Sequence, residues 1–195
     1  RPAPARRLVP GIVAPLSTAS PFTTKLAAKI RYHEVNTFDP LTDQRAFRDA
    51  LGAYATGVAV VTVASDDGPI GITANSFASV SLDPPLVLWS PAKASQRFKY
   101  FTGAQDFAIH VLDGHQQAIC NGFTKDRSAF GGLDCDTSPT GVPLINGCLA
   151  RFECELQAEH DAGDHVIIVA RVKNASVRQG LPLLFQAGRF VALKG

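Results

Sequence analysis

Apolar residues recur at Phe47, Ala50, Leu51 and Tyr54, the i, i+3, i+4, i+7 spacing of one helical stripe. Thr42 or Asp43 stands where an N-cap oxygen is needed, and Gly57 is the expected stop. From Val58 to Ala64 the pattern becomes a continuous, largely β-branched run, which predicts a strand buried on both faces. Ser65-Asp66-Asp67-Gly68-Pro69 is turn chemistry and predicts a hairpin into the next strand. Further strands are predicted over Leu86–Trp89 and Phe107–Leu112, with a short helix from near Ser95 between them, and a helix capped by Asp113 runs to Phe123. Thr124 to Pro143 is rich in Gly, Asp, Ser, Thr and Pro, and so reads as a loop able to cover a site. Leu149–Glu159 and His165–Val177 are the longest strand patterns, joined through His160–Asp164, and Leu183–Leu193 closes the set. Six or seven strands with short hairpins and three helices argue for an antiparallel barrel, not alternating βαβ units.

One stretch departs from core patterning. Gly71 to Leu86 alternates like a strand, yet Thr73, Ser79 and Ser81, with Asn75 and Phe77 between them, place hydroxyls, an amide and an aromatic ring on one parity. The other parity, Ile72, Ala74, Ser76, Ala78, Val80 and Leu82, is small or apolar and suited to packing. Pro84-Pro85 removes two N–H donors and ends the ladder. The polar parity predicts a binding edge.

Composition narrows the class. The 195 residues, 46% hydrophobic and 18% charged, fit one soluble domain. No apolar run reaches the roughly 18 residues of a membrane span, so a soluble, cytoplasmic protein with no membrane contact is expected. Before Glu34 there are six basic residues and no acidic ones, whereas from Phe38 onward 13 basic residues face 16 acidic ones, a net of −3. The body is therefore not expected to bind nucleic acid. The basic leader suits a transit segment, a docking arm or a disordered tail, with an arm preferred. The absence of methionine fits a trimmed or processed chain. Cys120, Cys135, Cys148 and Cys154 form no C-x-x-C pair and have no histidine spaced to complete a zinc site, so buried free thiols and no metal are expected. Cys148 and Cys154 would share a face if one strand carried both. No G-x-G-x-x-G, H-E-x-x-H or nucleophile elbow is present, and His33, His110, His115 and His160 show no partner spacing.

The stretch from Gly71 to Leu86 resembles the hallmark of the flavin reductase-like, FMN-binding split-barrel proteins, in particular the reductase components of two-component flavin monooxygenases. Three further elements resemble that family in order and spacing: Phe47 to Val58, Gly163-Asp164-His165, and Pro182-Leu183-Leu184-Phe185. The resemblance implies a mainly β fold, an antiparallel, Greek-key split β-barrel with a few short helices, over residues 37–195. Residues 1–36 are then a basic arm, extended or swapped. It also implies an NAD(P)H-dependent flavin reductase that supplies reduced FMN or FAD to a partner monooxygenase, by transient contact or flavin diffusion, and that pairs as a homodimer. Two alternatives stay open: a split-barrel flavoprotein reducing a corrinoid, metal or quinone-like acceptor, and a flavin-binding electron carrier without a nicotinamide site.

A flavin needs an apolar bed, hydrogen bonds along its polar edge and an anion site. In Ser90-Pro91-Ala92-Lys93-Ala94-Ser95-Gln96-Arg97 the expected helix starts at Ser95, whose exposed N–H groups at Gln96 and Arg97 would attract a phosphate, with Lys93 and Arg97 adding charge. By resemblance, the cofactor-binding residues are Gly71, Ile72, Thr73, Asn75, Ser76 and Phe77, then Ser90, Pro91, Ala92, Ser95, Gln96 and Arg97, then Gly122 and Phe123. Arg97 stands where the family often carries a Ser or Thr. His165 is implied as the catalytic histidine beside the nicotinamide, where it would orient the carboxamide or supply charge.

Overall fold

The computed structural model describes residues 35–191 and 193. The basic arm expected over residues 1–36 lies almost wholly outside them. All that follows concerns the unit spanning Pro40–Gly195.

Helix α1, Gln44–Gly52, is capped as expected: the Asp43 carboxylate accepts from the Ala46 N–H at 2.8 Å. It stops five residues before Gly57, because Thr56–Gly57 form a short strand, β1, that pairs with Phe185 and Leu184. Strand β2, Ala59–Val63, is buried along its whole length. Ala59, Val61 and Val63 enter one apolar cluster, while Val60, with Val58 just before the strand, enters a second on the opposite face. That is why its sequence shows no alternation. The Ser65–Gly68 turn, closed by hydrogen bonds between those two residues, leads into β3, Ile70–Ala74.

The hallmark stretch is not one strand. It breaks at Asn75-Ser76-Phe77 and resumes as β4, Ala78–Leu82, which turns at Asp83-Pro84 into β5, Pro85–Trp89. The remaining long strands are β6, Asp106–Val111, and the 13-residue pair β9, Ala150–Ala162, and β10, His165–Val177. These seven strands form one antiparallel sheet in the order β3-β2-β6-β9-β10-β5-β4. Strands β3 and β4, consecutive in the chain, are therefore its two opposite edges. Ala74 and Ala78 can be at most roughly 14 Å apart along four residues of chain. The sheet must curl until its edges nearly meet there, and since they do not pair, the barrel is left split. Two register shifts in the β9–β10 hairpin accommodate the coiling.

Inside the curl lie Val61, Ile70, Trp89, Phe101, Phe107, Ile109 and Ile168. A second core, with Leu112, Phe123, Ile145 and Leu183, sits on the other side of β2. It is roofed by helix α3, Gln117–Lys125, and by a three-stranded sheet in which β1 pairs with β11, Leu184–Gln186, and β11 with β12, Arg189–Val191. The closing segment is thus a hairpin, not one strand. Helix α3 starts four residues later than expected. The Asp113 carboxylate instead accepts from the His115 N–H at 2.9 Å and pairs with Arg178 at 2.9 Å, so it has no capping role. Thr124 to Pro143 contains the strand β7, Cys135–Thr137, which pairs with β8, Pro143–Ile145. It packs on the barrel, with Thr62 donating to the Pro143 carbonyl at 2.6 Å. All four cysteines are free, and Cys148 precedes β9 and packs in the second core, so it does not share a face with Cys154. Burial pushes the Cys154 thiol up to about 12 and the Cys148 thiol to about 11. No described helix is long and apolar enough to cross a membrane.

Candidate functional site

Three segments converge where the barrel is split: the Asn75–Phe77 link between the edges, the loop after β5, and the turn between β9 and β10. Ser76 staples the first two. Its hydroxyl accepts from the Ser90 N–H at 2.9 Å and lies 3.3 Å from the Ser90 carbonyl. The turn is tied to the loop by Val166 N–H donating to Pro91 O at 3.1 Å and Lys93 N–H donating to Asp164 O at 2.9 Å. Gly163 takes φ 71° at the first position of this two-residue turn, a conformation that favours glycine.

Between these segments lies a cleft of about 290 Å³. Ile72, Thr73, Asn75 and Ser76 line one wall, Ser90, Pro91, Ala92 and Ser95 another, and His165 closes it. Nine of the fifteen site residues expected from the sequence therefore meet in one place. Ala74 and Trp89 also line it and were not expected; as Ala and Trp on core parities, they carry no sequence signal of a site. A second cavity of about 360 Å³ shares Thr73, Ala74 and Asn75 as a common wall. Its floor is apolar, built from Val58, Cys120 and the Phe185–Phe190 edge-to-face pair, with ring centroids 5.5 Å apart. Thr73 donates its hydroxyl to the Cys120 carbonyl at 2.9 Å, which fixes the shared wall against α3.

The other six expected residues lie elsewhere. Phe123 is fully buried and stacks edge-on to Phe130, so its ring belongs to the second core. Gly71 is buried against it: a Cβ at position 71 would stand 2.4 Å from the Phe123 ring, so the glycine leaves room for the phenylalanine. Gly122 faces Ala129, and Phe77 packs on Phe152 at 5.4 Å. Gln96 is exposed and outside the cleft lining. Arg97 donates to the Phe123 carbonyl and, at 3.3 Å, to the Thr124 carbonyl, placing its charge at the C-terminal end of α3.

The expected anion site changes accordingly. The helix after Ser95 is α2, only Phe98–Phe101, and it starts three residues later than expected; Ser95 accepts from the Arg97 N–H at 3.2 Å in a local turn. Lys93 is engaged by Asp161 Oδ1 at 2.5 Å and the Gly163 carbonyl at 2.6 Å. Its hydrogen bond and charge hold the Asp161 carboxyl below its usual range. The loop after β5 contributes the uncharged Ser90 and Ser95 side chains to the cleft lining.

His165 is half-exposed, with Nδ1 2.7 Å from Asp164 Oδ1, and that contact is the main reason the Asp164 carboxyl is held below its usual range. His110, by contrast, is fully buried: Nδ1 donates to Val60 O at 3.0 Å while Nε2 accepts from the Ile145 N–H at 3.0 Å. Burial drives it down to about 4, so it is a neutral cross-link between β6 and β8. No metal-binding cluster occurs among the described residues. The run of small polar groups along the shared wall, the apolar floor of the second cavity and the hydroxyls of the cleft match what a flavin needs.

The sequence matches the model of the flavin reductase like domain over residues 51–194. It is 57% identical over 148 residues to the FMN reductase (NADH) SmoA of Agrobacterium fabrum, covering 76% of this chain and 85% of that protein. It is 39% identical to the flavin-dependent monooxygenase reductase subunit HsaB of Rhodococcus jostii, covering 78% of this chain and 79% of that one. Among solved structures, the NADH:FAD oxidoreductase SgcE6 of Streptomyces globisporus superposes with a TM-score of 0.77 at 35% identity, over 84% of this chain and 95% of its own. A second structure of SgcE6, in complex with NAD and FAD fragments, gives the same TM-score of 0.77 over 82% of this chain and 98% of its own.

Proposed function

The chain belongs to the flavin reductase-like domain family, and from that premise we propose that it is an NAD(P)H-dependent flavin reductase supplying reduced FMN or FAD to a partner monooxygenase. The observation that carries the reading is the meeting of Thr73–Ser76, Ser90–Ser95 and His165 on one cleft at the unpaired edges of the barrel. Residues 37–195 are the flavin reductase unit in this reading, and residues 1–36 an arm.

The flavin, when bound, supplies the chemistry: it takes a hydride from the nicotinamide and carries two electrons onward. The chain contributes position. Thr73, Asn75 and Ser76 offer hydroxyl and amide groups along one edge, and Ile72 with the Phe185–Phe190 floor supplies apolar surface. The Ser90 and Ser95 hydroxyls would hold a phosphate. His165 stands at the mouth, where an imidazole orients an incoming carboxamide; no residue has to form a covalent bond. Two subunits pair in this reading. Support comes from Phe47, Leu51 and Tyr54, the stripe of α1, which are 44%, 60% and 79% exposed, and no residue of this helix is buried among the described residues.

The reading is tested by anaerobic mixing of the flavin-loaded protein with NADH. Bleaching of the flavin absorbance is expected, and His165→Ala should slow it or raise the NADH requirement while FMN affinity and thermal stability stay near wild type. A protein that binds flavin but is not bleached by NADH or NADPH is not a flavin reductase.

A further inference from the structure

The β9–β10 turn carries two carboxylates, and the structure gives each a separate task. Lys93 takes Asp161, at 2.5 Å, and also the Gly163 carbonyl, at 2.6 Å. Asp164 is left for the imidazole of His165, with Oδ1 2.7 Å from Nδ1. The Lys93 N–H donating to Asp164 O and the Val166 N–H donating to Pro91 O hold this turn in register with the loop across the cleft. An exposed contact between neighbours in sequence adds little to stability. Its consequence for the ring is chemical. An ionised carboxylate can only accept, so the proton of the neutral imidazole must sit on Nδ1. Free imidazole side chains prefer the other tautomer.

We propose that Asp164 is a positioning residue: it fixes His165 as the Nδ1–H tautomer and so presents the Nε2 lone pair to the cleft as an acceptor for the amide N–H of a nicotinamide-type ligand. Nε2 has no hydrogen-bond partner among the described residues. The charged groups facing the ring are Asp164 on its own turn, with Asp161 and Lys93 already paired to each other. The other polar residues lining the cleft, Thr73, Asn75, Ser76, Ser90 and Ser95, are uncharged. A neutral Nε2 acceptor distinguishes a primary carboxamide, which donates, from a carboxylate, which cannot. The ligand's identity rests on the flavin reductase reading; the tautomer does not.

The test uses the whole protein labelled with ¹⁵N-histidine. Long-range ¹H–¹⁵N correlation at a pH where the imidazoles are neutral reads the tautomer, with the His165 signal identified by its loss in His165→Gln. The expected result is Nδ1–H in the wild type and Nε2–H in Asp164→Ala. In NADH bleaching of bound FMN, Asp164→Ala should raise the half-saturating NADH concentration about tenfold, as losing one hydrogen bond at a ligand does. Its limiting rate and FMN affinity should stay within about twofold of wild type, and Asp164→Glu should recover most of the loss. In a His165→Gln background, Asp164→Ala should cost nothing further. An Nε2–H tautomer in the wild type overturns the proposal, as does an unchanged tautomer in Asp164→Ala or an equal cost in both backgrounds. Failure of the wild type to be bleached at all would overturn only the reductase reading, because the tautomer measurement needs no ligand.

Discussion

Single residues here are governed by what their polar atoms meet, and His110 is the clearest case. Both ring nitrogens are satisfied only in the neutral form, because Nε2 accepts from Ile145. Its folded-state value, lowered to about 4, lies below the ordinary 6.5. The stability it contributes is therefore fully present above pH 6.5 and is lost as the pH falls from 6.5 towards 4, where the unfolded chain binds the proton first. The full effect is about 3 kcal/mol. In His110→Gln, urea midpoints measured from pH 7 to pH 4 should start lower and fall less steeply than those of the wild type. A parallel acid limb in both proteins would place the responsible group elsewhere. Gly71 and Phe123 make the complementary point: each carries the right residue type for a cofactor wall, yet each is explained by the other, a ring packed where a Cβ would be.

At the level of elements, the decisive feature is a break that alternation hides. Thr73 and Ser79 share parity in a continuous strand, but the chain leaves the sheet at Asn75-Ser76-Phe77, and β3 and β4 end up on opposite edges. The polar residues thus act in different ways: Thr73 holds α3, Ser76 holds the loop after β5, and β4 presents largely exposed residues, with Leu82 96% exposed. Ser76→Ala should release the Ser90 N–H and let the two walls drift apart. FMN affinity should fall by on the order of 1 kcal/mol, a several-fold rise in Kd by fluorescence titration, with a small loss in Tm. Unchanged affinity would mean that the staple does not shape the flavin site.

For the molecule as a whole, α1 is a described element whose apolar stripe is exposed, at Phe47, Leu51 and Tyr54. Its cap is formed and its C-terminal end is tied to the β11–β12 turn, with Ala187 N–H donating to Gly52 O at 2.8 Å, but its apolar stripe faces outward. Val80 and Leu82 on β4 are likewise exposed. In the proposed dimer a second copy of the chain would cover the α1 stripe. Leu51→Lys should shift sedimentation from dimer to monomer while leaving the circular dichroism of the barrel unchanged. A dimer that persists in the variant would place the interface on another face.

Much was legible without coordinates because some signals are local. The Asp43 cap, the doubly buried β2, the Ser65–Gly68 hairpin and the long β9–β10 pair each follow from side-chain spacing and turn chemistry within a dozen residues. The family was legible from four motifs in order, and nine of the residues they suggest for a site line one cleft. Several departures from expectation share one cause: a side chain's partner is distant in sequence. Asp113 does not cap α3 because Arg178 claims it, Arg97 reaches back to carbonyls at the end of α3, and Phe123 is core because Gly71 leaves room for it. Strand order, too, is set by which edges pair across the sheet, so the split between β3 and β4 became visible only in the fold. The sequence by itself determined most of the long elements and the chemical kinds of the cleft residues. Tertiary structure decided which of them face the cleft, because hydrogen-bond partners and packing volumes are allotted across the chain and not along it.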